Sequence, residues 1–61
     1  MNTYEKIKAI CVDRHIPIYQ LEKEAGIGNG VIDGWKKASP RVSTLQKVAE
    51  ALSVSIADLI G

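Results

Sequence analysis

Apolar residues recur three, four and seven positions apart along most of the chain, the spacing that lays side chains on one face of a helix. Tyr4, Ile7, Ile10 and Cys11 form one such face, Leu21 and Ala25 a second, Val31, Ile32 and Trp35 a third, and Leu45, Val48, Ala49 and Leu52 a fourth. No segment alternates apolar and polar positions long enough to predict a strand, so the pattern predicts an all-α fold. Caps and breakers divide it into five helices. The first covers Thr3–Arg14, with Asn2 as N-cap and Glu5 as its capping-box partner. It ends at His15-Ile16-Pro17, because Pro17 disfavours the helical conformation for Ile16 and donates no backbone hydrogen bond. The second spans Ile18–Ala25 and stops at Gly26, which suits the left-handed position that closes a helix. The third is predicted over Asn29–Lys37, capped by Gly28 and stopped by Ala38-Ser39-Pro40. Ser43 caps a fourth over Thr44–Leu52, with Gln46 at the capping-box position. A last short helix follows Ser55, with Asp58 three residues on, and offers Ile56, Leu59 and Ile60 to the core or to a second subunit.

The tightest link, Gly26-Ile27-Gly28, allows only a sharp turn between the second and third helices. Two helices meeting steeply across such a turn form a helix-turn-helix, here about 18–37, whose second helix can enter a DNA major groove. The run Gln20-Leu21-Glu22-Lys23-Glu24-Ala25-Gly26-Ile27, then Ile32 and Trp35, Pro40, Thr44-Leu45, Val48-Ala49, and Leu52-Ser53-Val54-Ser55 to Leu59-Ile60 resembles the phage repressor/Cro-type helix-turn-helix family of bacteria and their phages. The resemblance covers nearly the whole chain. It implies a compact five-helix, lambda-repressor-like domain that binds operator sequences in double-stranded DNA and regulates transcription, as a repressor that occludes a promoter. It also implies a two-fold homodimer reading half-sites about one helical turn, ~34 Å, apart. Leu59, Ile60 and the loop near Val54 are the candidate dimer surface.

Docking as the resemblance implies would set Asn29, Gly30, Asp33 and Gly34 against base edges. The Asn29 amide can donate to N7 and accept from N6 of adenine in one bidentate pair, worth roughly 1–3 kcal/mol of discrimination; its alternative role is a local cap. Phosphate contacts are expected from Tyr19 and Gln20 at the start of the second helix, where the helix dipole favours an anion, from Gly28 in the turn, and from Lys36, Lys37, Ser39 and Arg41 beyond the third helix. Three glycines depart from the family pattern. Members usually carry Ser or Thr at the position of Gly28 and longer polar side chains at those of Gly30 and Gly34. An interior glycine costs roughly 1 kcal/mol relative to alanine, so the third helix is expected to be soft, to firm up on DNA, and to rely on backbone approach and DNA shape. Asp33 repels phosphate, although its carboxylate can accept from cytosine N4. Glu22 stands where the family has a small residue, and its head group is expected to reach solvent or Lys36, since a buried unpaired carboxylate is costly.

Sixty-one residues predict one domain, near the lower size at which a chain folds without a disulfide or metal. The single cysteine, Cys11, forms no internal disulfide, and no Cys/His cluster has metal-ligand spacing. No signal peptide is evident, and the longest apolar run falls short of the ~20 residues that span a bilayer. A cytoplasmic protein without cofactor, small-molecule ligand or membrane partner is therefore expected. Eight Lys plus Arg against seven Asp plus Glu leave a formal charge of +1. The distribution is more telling, because Lys36, Lys37, Arg41 and Lys47 lie in a stretch without acids and attract phosphate locally. Trp35 reads as the core anchor of the third helix, His15 as a helix-dipole partner and Cys11 as a small core residue. No acid, base and nucleophile stand at a catalytic spacing, so an enzyme is not expected. Two other functions stay open: a protein-interaction module that keeps the fold without binding DNA, and an antitoxin that binds both a toxin and its own promoter.

Overall fold

A computed structural model describes residues 2–60. Its elements are α1 (Thr3–Arg14), α2 (Ile18–Ala25), α3 (Val31–Gly34), α4 (Val42–Leu52) and one turn of 3-10 helix, Ile56–Asp58. The all-α class holds among the described residues, but the expected fifth helix is only that single turn, leaving four α-helices. The limits of α1 and α2 coincide with those expected. At the start of α1 the Asn2 side chain accepts from the Glu5 N–H (2.8 Å) and the Glu5 carboxylate accepts from the Asn2 N–H (3.2 Å).

Three helices end in the same way. His15, Gly26 and Ser53 all take the left-handed conformation, with φ of 59°, 73° and 57°. The next residue then donates back to a carbonyl of the last turn: Ile16 to Cys11 (2.8 Å), Ile27 to Glu22 (3.0 Å) and Val54 to Ala49 (3.0 Å). This is the Schellman closure, and its apolar residue after the left-handed one tucks against the domain. Ile16, Ile27 and Val54 all pack on the core.

That core joins Ile7 and Cys11 of α1, Leu21 of α2, Ile32 and Trp35 from α3 and its exit, the Leu45, Val48, Ala49 and Leu52 face of α4, and Leu59. Leu59 is fully buried, so of the pair expected at a dimer surface it closes the core and only Ile60 is exposed. Two long side chains tie α1 to later elements. Arg14 donates to the Leu52 carbonyl at the end of α4, and Lys6 donates to the Ile60 carbonyl (2.7 Å).

α3 and α4 depart from their expected limits. α4 begins at Val42 with Arg41 as N-cap, because Leu45 N–H already bonds the Arg41 carbonyl at 2.9 Å. Ser43 therefore lies inside the first turn, past the position from which its hydroxyl would cap, and Gln46 is not its partner. α3 covers four residues rather than Asn29–Lys37. Gly30 adopts φ +89°, which is not helical, and excludes residues 29 and 30. At the other end, Trp35, Lys36 and Lys37 bond the carbonyls three residues back, at 3.0, 3.2 and 3.3 Å, so the coil tightens into turns.

Candidate nucleic-acid interface

The link between α2 and α3 is organised by a carboxylate. Glu22 is 3% exposed, and its Oε2 accepts from the N–H of Gly30 and the N–H of Ile32, each at 3.0 Å. This corrects the expectation that its head group reaches solvent or Lys36. The cost of burial is met by two backbone donors at the start of α3, where the helix has N–H groups without internal partners and a dipole that favours negative charge. Gly30, at positive φ, gives its N–H to that oxygen. The expected cap Gly28 and the softening interior role of Gly30 are thus both replaced: Gly30 is the N-cap, and the capping side chain comes from α2.

Lys36 pairs instead with Asp33 at 2.9 Å on the surface, and its Nζ lies 5.3 Å from the centre of the Tyr4 ring. The hydrogen bond from Lys36, followed by its charge, holds the Asp33 carboxyl below its ordinary value, and the same bond holds Lys36 above its own. The acid expected to repel phosphate carries its own counter-charge.

Asn29, Gly30, Asp33 and Gly34, and likewise Tyr19, Gln20, Gly28, Lys36, Lys37, Ser39 and Arg41, are all exposed. Tyr19 and Asn29 line one surface cleft together with Glu22, Lys23 and Ile27. Lys36, Lys37 and Ser39 line another, walled by Trp35 and Pro40. Gln20 lies in the first turn of α2 and Arg41 at the N-cap of α4. Val31, expected inward, is the first residue of α3 and is exposed, whereas Ile32 is fully buried. No local signal marks this; in the fold, a Cβ at Gly28 would stand only 3.3 Å from Val31 Cγ2.

The helix starts differ in charge. Glu5 serves α1, Glu22 serves α3, and the Asp58 carboxylate accepts from the Ser55 N–H (3.1 Å) and hydroxyl (3.0 Å) at the 3-10 turn. α2 and α4, which precede and follow α3, begin at Pro17 and Arg41 with no side-chain cap and no acid in the first turn. Their leading N–H groups and positive dipole ends remain open to an anion. Cys11 plays no part in this surface; burial pushes its thiol up, with Lys8 and Arg14 pulling it down by less. Among the described residues, no helix is long and apolar enough to cross a membrane.

A family model described as Cro/C1-type HTH DNA-binding domain matches residues 6–61. No curated protein and no solved structure gives a significant match.

Proposed function

The chain belongs to the Cro/C1-type helix-turn-helix family of DNA-binding domains, and on that premise we propose that it is a sequence-specific repressor of transcription, acting on operator DNA in the cytoplasm of a bacterium or a phage-infected cell. The observation that carries this reading is the contrast between acid-capped and open helix starts. The two open ones lie on either side of α3 in sequence, where a groove-docked α3 needs phosphate anchors on both flanks. Tyr19 and Gln20 add side-chain donors to the first anchor, Lys37, Ser39 and Arg41 to the second. Lys36 supplies charge while neutralising Asp33, and Gly28 lets the turn approach the backbone.

On the groove side, Asn29 pairs with adenine and the Val31 methyls meet a thymine methyl, while Asp33 accepts from cytosine N4. Gly30 and Gly34 contribute no side chain and bring the α3 backbone close to the base edges. Repression follows from occupancy: a domain bound across a promoter excludes polymerase without chemistry or cofactor. A homodimer on a two-fold site supplies the contacts that one domain of this size lacks, with exposed Ile60 and the loop at Val54 on its contact surface.

Selection of bound sites from a random duplex pool, followed by titration of the enriched site against salt, tests the proposal. Enrichment of a two-fold sequence is expected, with log affinity falling by about 0.9 per log salt for each phosphate neutralised. Absence of duplex binding even at low salt would overturn it in favour of a protein-interaction module, and binding restricted to a complex with a second protein would favour an antitoxin.

A further inference from the structure

We propose that Glu22 is the positioning residue of the reading helix: its buried carboxylate sets where α3 begins, and so which side chains meet the bases. The inference rests on the DNA-binding reading above. α3 has four residues, far fewer than the about 12–15 at which a helix becomes even marginally stable alone, so its placement must be imposed from outside. The connecting turn does not impose it, since glycines at φ +73° and +89° bracket that turn, and glycine is the most permissive residue. Buried Ile32 and, at the helix exit, Trp35 hold one face of this segment against the core, but neither contact fixes the residue at which the helix begins. Glu22 Oε2 does, because one oxygen shared by the N–H groups of Gly30 and Ile32 at 3.0 Å fixes the first turn. An N-cap side chain does the same from its own helix; here the acceptor comes from the preceding one. A charged acceptor makes the stronger bond.

The consequence is a register. With Val31 as the first helical residue, Val31 and Asp33 lie outward and Ile32 inward; a shift of one residue rotates the face by about 100° and would turn a different set toward the groove. The carboxylate also occupies two of the donors at the start of α3 and places a negative charge there, which disfavours phosphate at that end. The anions are left to the starts of α2 and α4, and α3 is left to approach bases.

Amide exchange on the free protein, paired with binding to a selected and a random duplex, tests this. In the wild type, the Gly30 and Ile32 amides should be protected while the neighbouring Asn29 amide exchanges freely. Glu22→Ala should speed exchange at both by at least about tenfold while Val48 and Ala49 in α4 stay protected. The same variant should lower the ratio of selected-site to random-duplex affinity by about tenfold or more, with random binding changed by less than about threefold. Glu22→Gln, which keeps a carbonyl oxygen at the same reach, should restore most of both. The proposal is overturned if wild-type Gly30 and Ile32 exchange as fast as Asn29, if Glu22→Ala keeps the ratio, or if Glu22→Gln is as damaging as alanine. Should Glu22→Ala lose the α4 protection as well, and so fail to fold, the wild-type pattern and Glu22→Gln decide. Protected Gly30 and Ile32 in a chain that selects no sequence would uphold the positioning and overturn the DNA reading.

Discussion

Gly30 and Gly34 look alike in the sequence and have opposite meanings in the fold. Both fall inside the stretch that apolar spacing marks as the third helix, where each would cost roughly 1 kcal/mol relative to alanine. Gly34 is helical, with open space where a Cβ would stand. Gly30 also has open space but sits at φ +89°, a conformation that a side chain strains whatever the room around it. Gly34→Ala should therefore stabilise the free protein by about 0.5–1 kcal/mol. Gly30→Ala should destabilise it by about 1–2 kcal/mol and weaken the bond to Glu22. Urea denaturation of both variants checks the pair, and two changes of the same sign would contradict the assigned backbone. Periodicity cannot tell these glycines apart. What separates them is a carboxylate eight positions upstream of Gly30, a partnership that no local rule encodes.

The same contrast governs whole elements. α1 and α2 were legible because their signals are local: Asn2 with Glu5, Pro17 at a start, and Gly26 at an end. α3 departs from the sequence pattern because its cap is supplied by another helix, and α4 because it starts with no side-chain cap at all, so Ser43 marks a start two residues too late. Of the residues proposed for the interface, the polar and basic ones follow from type and position, and all are exposed. Val31 does not follow in this way, since an apolar residue beside Ile32 reads as core until the register is known. The helix ends carry a prediction of their own. α2 closes on glycine, but α4 closes on Ser53 at φ 57°, where a Cβ is unfavourable. Ser53→Gly should relieve that strain, partly offset by greater unfolded-chain entropy, for a net gain of about 0.5–1 kcal/mol. An unchanged or lower urea midpoint would mean that the serine makes a compensating contact.

Across the molecule, the proposed function rests on where charge is left uncompensated rather than on the net charge of +1. Acids occupy the starts of α1, α3 and the 3-10 turn, and Lys36 covers Asp33, which leaves the positive ends of α2 and α4 uncapped, the phosphate anchors of the proposed docking. This division separates affinity from selectivity, and substitutions should separate along the same line. Arg41→Ala removes a cation beside the start of α4. It should weaken binding to selected and random duplexes alike and reduce the magnitude of the salt slope by about one unit. Asn29→Ala removes the amide proposed to read a base without touching a charge. It should leave the salt slope unchanged while costing about 1–3 kcal/mol on the selected site and almost nothing on random duplex. Parallel salt titrations of the two variants on both duplexes measure all four numbers. If Asn29→Ala changed the slope as Arg41→Ala does, its amide would be a phosphate ligand, and the face of α3 turned toward the bases would have to be reassigned.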